Sequence, residues 1–332
     1  MKKSLVLPVL FAVGCASGMA PASIAQTLLV ANQGDRTVSV INTKTGDEDT
    51  VAEGIEGQWG HEIAVSKDGH SAYLPIYGNT GVGKPGINGQ KMLVIDLGLR
   101  TVTGVVNFGH GVRPHLPVVD GASGMLYVTT ELEDAITEID PQTLRIVAKV
   151  PTGQKESHML AISHDGKLGY TANVGPGTVS VLDMVERKTL AVIPVAGDVQ
   201  RIAISRDDRL VFTSDQTSPR LAVIDTAERR VESWVDLPGL GYGSAVTPDG
   251  RWLLVAIPSK DEVAVVDLAE MKVARTVAVA ADPQEILVPP GGRVAYVSCM
   301  TAGKVAAIDL EQWKVQKLID AGKGADGMGW AP

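Results

Sequence analysis

The chain has 332 residues with 36 glycines, 18 prolines and only 4% aromatic residues, and its formal charge is −8. That acidic balance argues against binding the phosphate backbone of nucleic acid. The length suits one large β-domain or two ordinary domains, so size alone does not decide the domain count.

At the N-terminus, Lys2 and Lys3 precede an apolar run from Leu5 to Val13, and Ser23-Ile24-Ala25 puts small residues ahead of Gln26. This is the pattern of a secretory signal over residues 1–25, cleaved before Gln26. A competing reading is a lipoprotein signal, with Phe11-Ala12-Val13-Gly14 as a loose lipobox and a lipid anchor on Cys15. The expectation is a periplasmic or secreted protein, or in the second reading a membrane-anchored lipoprotein; the apolar run is too short to span a bilayer. Cleavage before Gln26 removes two lysines, so the 30 basic residues become 28 against 38 acidic ones, a formal charge of −10. It also leaves Cys299 as the only thiol, so no intramolecular disulfide can form even in an oxidising compartment.

From Thr27 onward an alternating apolar strand recurs, ending on Asn42, Asp96, Asp140, Asp183, Asp225, Asp267 and Asp309, with successive spacings of 54, 44, 43, 42, 42 and 42 residues. A period of this length holds four short strands with their turns, the content of one propeller blade. Segments such as AVSKDGHSAY, AISHDGKLGY, AISRDDRLVF and AVTPDGRWLL supply the hairpin of strands one and two through an Asp-Gly type turn. The hairpin normally ends 13 residues before its anchor, but Tyr73 lies 23 before Asp96, so ten residues are inserted in the second blade, within the glycine-rich loop from Gly78 to Gln90. The chain opens on TLLVANQGD, a second strand without a first, and closes on GADGMGWAP, a first strand without a second. The predicted fold is therefore all-β: a single seven-bladed β-propeller over residues 26–332, made of four-stranded antiparallel blades and closed by pairing the N-terminal strand with the C-terminal strand.

The copies TLLVANQGDRTVSVINTKTG, LYVTTELEDAITEIDPQTL and GYTANVGPGTVSVLDM resemble the YVTN-repeat family of seven-bladed propellers, and the resemblance runs from residue 26 to 332. It implies the fold and leaves function open, since similar propellers serve as surface proteins, lactonases, and the haem-d or copper domains of denitrification enzymes. A lactonase would carry an acidic and basic cluster at the propeller's mouth, but no family motif can be matched here residue by residue. Cys-x-x-Cys-His is absent, so there is no c-type haem attachment motif. Neither a Gly-x-Ser-x-Gly elbow nor a His-Glu-x-x-His motif occurs, and the glycine-rich insertion lacks the ending of a phosphate loop.

Counting back equally from each innermost strand gives one equivalent position per blade: His61, His115, His158, Gln200, Tyr242, Gln284 and Gly327. Three of the six histidines fall at this level, at the strand entry that surrounds the central channel. Imidazoles gathered there suit coordination of a transition metal (Cu, Zn or Fe) by His61, His115 and His158, or acid-base work. His110 sits on the connection that leads to His115, and Glu62, Arg113, Glu156 and Arg201 bring charge nearby. The insertion belongs on the same face, as a binding loop or an idle excursion.

Three functional readings follow. In the first the propeller binds a small molecule or metal ion at this mouth. In the second it is an enzyme, either a metal-dependent oxidoreductase or a lactonase or lyase in which His115 or His158 moves a proton and Arg113 or Arg201 stabilises negative charge. In the third it is a protein-interaction scaffold that uses its rim. Cys299 reads as a buried, inert thiol. His70 and His164, in the turns of the opposite face, read as solvated surface, and the recurring Asp anchors as turn caps.

Overall fold

The computed structural model describes residues 26–332; both readings of the signal, and Cys15, fall outside them. The described chain forms seven antiparallel sheets around a central axis, six of them with the innermost strand first and the outermost last, and the first blade taking its innermost strand from the C-terminal end. Blade four shows the plan, with strands Ser157–Ile162, Leu168–Asn173, Thr178–Asp183 and Lys188–Pro194. Its two middle strands are buried along nearly their whole length, because blades pack face to face and cover both sides of a strand. The outermost strand lies mostly in solvent and turns one apolar residue inward. Val51, Val106, Val150, Ile193, Val235, Val277 and Ile319 hold this place in the seven blades, and each contributes about 1.5–3 kcal/mol by leaving water.

The apolar core is accordingly a series of layers between neighbouring blades. Leu254, Val263 and Val265 of blade six pack with Ala295, Val297 and Ile308 of blade seven, and Leu28 and Val30 of blade one pack with Val305 and Ile319 of blade seven. The last layer depends on closure of the ring. Thr27–Asn32 pairs on one side with Thr37–Asn42 and on the other with Ala325–Ala331, with a bulge between Val30 and Asn32.

All seven anchors cap turns, as expected. Asp96 Oδ1, for example, accepts the N–H groups of Gly98 and Leu99 at 2.9 and 2.8 Å, and Asn42 does the same for Lys44 and Thr45. The asparagine that ends some second strands is structural as well, since Asn173 Nδ2 donates to Thr178 and Ser180, and Asn32 to Thr37 and Ser39. Cys299 occupies the equivalent place, fully buried, where burial pushes its thiol up to about 11.

Blade two departs from the plan twice. Its innermost strand is broken into Trp59–Gly60 and Ala64–Val65, both paired with the second strand, so that His61, Glu62 and Ile63 lie in the gap. The insertion is also not irregular throughout. Its ends lengthen the hairpin into Ser71–Gly78 and Asn88–Asp96, with Gly78 opposite Asn88, and only residues 79–87 leave the sheet. Gly78 has φ +142°, and a Cβ there would lie 2.1 Å from the Ile87 carbonyl oxygen, so this corner accepts only glycine. Among the described residues no helix is long and apolar enough to cross a membrane.

Candidate functional site

The common register of the innermost strands brings His61, His115 and His158 together. The rings of His115 and His158 stack with centroids 3.7 Å apart and planes inclined by 27°, and His61 lies 5.3 Å from His115. Tyr77, from the lengthened second strand of blade two, wedges among them at 5.0, 5.2 and 5.9 Å from His61, His115 and His158. Glu131, on the short 3-10 turn that follows the second strand of blade three, accepts from Tyr77 Oη at 2.6 Å and faces His158 Nδ1 at 3.2 Å. Burial alone would raise the Glu131 carboxyl, but His158, Tyr77 and Arg113 together hold it below the usual carboxylate range.

Arg113 fastens the insertion to this cluster. Its Nε donates to Asn88 Oδ1 at 2.7 Å, Nη1 and Nη2 donate to the carbonyls of Gly81 and Lys84, and Nη1 lies 3.6 Å from Glu131 Oε1. One guanidinium thus ties residues 79–87 to the carboxylate that orients His158.

His61 is held from both sides. Trp59 Nε1 donates to His61 Nε2 at 3.1 Å, which leaves Nδ1 to carry the proton of the neutral ring, 3.6 Å from Asp326 Oδ2, while the Gln33 amide nitrogen lies beside Nδ1 and donates to Asp326. Burial, and then the electrostatic influence of His158 and Arg201, push His61 down to about 3; burial first, and then His158, His61 and Arg201, hold His115 well below its ordinary value. These two imidazoles are therefore uncharged near neutral pH. Because the unfolded chain takes up protons near pH 6.5 and the folded ring does not, His61 supports stability above pH 6.5 and withdraws that support as pH falls toward 3. Replacing His61 with glutamine is expected to spare about 2 kcal/mol of the loss between pH 6.5 and 5. Urea titrations of the two proteins at both pH values check this, and a stability gap independent of pH contradicts it.

Glu62, Arg201 and Glu285, each one residue further along its strand, form an ion cluster with Asp326. Arg201 donates to Glu62 Oε1, stands 3.5 Å from Asp326 Oδ1, and places its guanidinium 4.7 Å from the centre of the Tyr242 ring. Glu285 accepts the Met328 N–H beside it. Two carboxylates thus contact one guanidinium, and the field of a third reaches it. Burial lifts Glu62 to about 7 despite Arg201, raises Asp326, and raises Glu285 well above its ordinary value with Glu62 adding to the effect. Arg201 is raised in turn: burial opposes its charge, but Glu62, Tyr242, Asp326 and Glu285 outweigh it.

The remaining expected residues divide. Tyr242 joins the axial cluster, while Gln284 turns aside to donate to Asp282 at 2.6 Å. Gln200 has a buried Oε1 with no hydrogen-bond partner. His110 is not brought in; it is exposed and lies 3.3 Å from Glu133 on the rim. Glu156 instead accepts the Gly175 N–H at 2.8 Å, close under Gly83 of the insertion. The metal reading finds no chelating geometry: His115 and His158 present faces to each other, and among the described residues no group of three or more His, Cys, Asp or Glu side chains is disposed to hold a metal ion.

Sequence reasoning missed Tyr77, Glu131, Gln33, Glu285 and Asp326. A signal existed for two of them. Gln33, Glu131 and Gln216 each directly follow a second strand, and each reaches inward from there, Gln216 to the Gly241 carbonyl.

A closed ring of seven blades with a histidine-bearing mouth and a charged cluster on its axis defines a propeller built around a central site. The chain belongs to the cytochrome D1 heme domain family, whose model matches residues 120–324. Among solved structures it is similar to Kuenenia stuttgartiensis hydrazine synthase, at 18% identity and a TM-score of 0.67, over 82% of this chain and 90% of that one. It is also similar to dihydro-heme d1 dehydrogenase NirN in complex with DHE, at 15% identity and a TM-score of 0.63. That match covers 90% of this chain and spans 64% of the NirN chain. No curated protein sequence matches the chain.

Proposed function

We propose that the chain is an exported propeller of the YVTN-repeat type, periplasmic or secreted, that binds a small polar molecule at the mouth formed by His61, His115, His158 and Tyr77 beneath the loop 79–87. The observation that carries this reading is His115 Nδ1, buried at the mouth without a hydrogen-bond partner, as Gln200 Oε1 is. An unfilled polar valence in a buried site costs about 1–3 kcal/mol, and a small ligand with a matching donor or acceptor removes that cost.

The family raises a d1-type haem as the occupant, and NirN was solved with DHE. The residues of this chain do not fit such a macrocycle. His115 and His158 cover each other's faces, Arg113 is committed to Glu131 and the loop, and Arg201 is committed to Glu62 and Asp326. The charge left over at the axis is acidic, whereas a haem brings carboxylates of its own and needs cations to meet them. A smaller ligand agrees better with this packing. An enzymatic reading on the same face has one observation in its favour: Glu131 holds His158 through Nδ1, the arrangement that orients an imidazole for proton transfer.

The test combines metal analysis, titration with haemin, and thermal shifts against a panel of small polar molecules and lactones, for wild type and for His115→Ala. Expected are no stoichiometric metal, no haemin absorbance band that depends on His115 or His158, and a panel member that stabilises wild type by about 2.7 kcal/mol at a hundredfold excess over Kd but leaves His115→Ala unmoved. Stoichiometric iron, or a porphyrin band lost in His158→Ala, overturns the proposal.

A further inference from the structure

We propose a second binding site at the opposite end of the channel, for a small carboxylate with an apolar body, in which His164 and Arg206 hold the charged head and Asp208 positions His164. A cavity of about 390 Å³ opens there. Val118, Leu160, Ile202 and Val246 form apolar walls, and His164 and Arg206 also line it. The volume lies in the range of small-molecule sites.

The pair of cations is assembled across two blades. Asp208 of blade five accepts the His164 backbone N–H through Oδ2 at 3.0 Å and meets His164 Nδ1 through Oδ1 at 2.6 Å. Double anchorage to one carboxylate fixes the ring and puts a proton on Nδ1. It leaves Nε2 facing Arg206 Nη1 at 3.3 Å, a long contact. A carboxylate placed between them accepts from Arg206 and from Nε2 once the ring takes up a proton, and Asp208 balances the added charge. The acidic side chains nearby are already satisfied within their own turns. Asp120 accepts from Ala122, Ser123 and the Ser123 hydroxyl, Asp165 from Ser163 and Lys167, and Asp207 from Ser205 and Arg209. None of them occupies the two cations.

The backbone gives an independent reason to regard Asp208 as selected for its side chain. In the hairpin turns of blades two, four and six the corresponding residue is Gly69, Gly166 or Gly250, at φ +74°, +74° and +71°. Blade five places Asp208 in the same left-handed conformation, at φ +60°. A residue with a Cβ costs about 1–2 kcal/mol there, and the turn itself gains nothing from it, since glycine serves in the other three. What the aspartate adds is its hold on His164.

Isothermal titration with 1-naphthoate, and with 1-naphthalenemethanol as its uncharged match, tests the site. Wild type is expected to prefer the acid by about tenfold or more, and His164→Ala and Arg206→Gln each to erase the preference. Asp208→Gly is expected to weaken naphthoate binding by about fivefold while the melting temperature holds or rises, an outcome that a purely structural Asp208 does not produce. His115→Ala, at the other mouth, should leave naphthoate binding unchanged, which separates this inference from the function proposed above. Equal binding of acid and alcohol by wild type, Asp208→Gly binding like wild type, or loss of binding in His115→Ala overturns it.

Discussion

Replacing Arg201 with methionine is expected to cost about 3–5 kcal/mol near pH 8, and clearly less near pH 5. The arginine is 5% exposed and lies among Glu62, Asp326 and Glu285. Methionine fills much of the same volume but leaves the carboxylates buried with no cation. The pH dependence follows from the direction of their shifts. Glu62 sits at about 7 in the folded protein and near 4.5 in an unfolded chain, and Asp326 and Glu285 are also raised. A carboxyl raised by folding gives its full support below the unfolded value and loses it as pH climbs through the folded one. Without the guanidinium the folded values climb further, so the variant loses more than wild type between pH 5 and 8. Urea midpoints at the two pH values measure the difference, and an equal cost at both would mean that the carboxylates do not depend on Arg201.

The second large effect concerns Arg113. Changing it to methionine removes the donors to Asn88, Gly81 and Lys84 and leaves Glu131 with one partner fewer. A loss of about 2–4 kcal/mol is expected from breaking a buried charged network of this kind. The more telling result is local: residues 79–87 lose the guanidinium that ties them to the cluster beneath, so thermolysin cleavage before Val82 or Ile87 should accelerate by about tenfold or more, ahead of global unfolding. A cleavage rate that simply tracks overall stability would show that the loop is held by its hairpin and not by the arginine.

The same contacts show where sequence reading succeeds. Repetition made the blades legible, because each turn-capping Asp, each Asp-Gly turn and each apolar strand appears several times, so chance resemblance at one place is corrected at the next. The split blade was legible for the same reason, since one half-hairpin stands at each end of a regular series. The convergence of His61, His115 and His158 followed from register alone. What register cannot convey is which way a side chain leans, or what arrives from another strand. Tyr77 reaches the histidines only because the insertion lengthens a second strand, and Glu131 only because a 3-10 turn bends its backbone inward. Face-to-face stacking of His115 on His158, which defeats metal coordination, depends on rotamers that no spacing encodes. At the far mouth the signal was present but faint: a single Asp-Asp where the turns of blades two, four and six have Asp-Gly. His164, read as solvated surface, gains its role from a residue 44 positions away.

The pairing of Thr27–Asn32 with Ala325–Ala331 also sets a timetable for folding. The first strand of the described chain lacks its inner neighbour until the final residues have been synthesised, and Asp326, which completes the charge balance around Arg201, arrives with that same strand. Blades two to seven can assemble from local hairpins as they emerge, whereas the ring and its ionic centre must wait for a contact spanning almost the whole sequence. Such a contact is the slowest kind to make. Until it forms, the first blade presents an open inner edge, and the carboxylates and arginine that later neutralise one another remain in water.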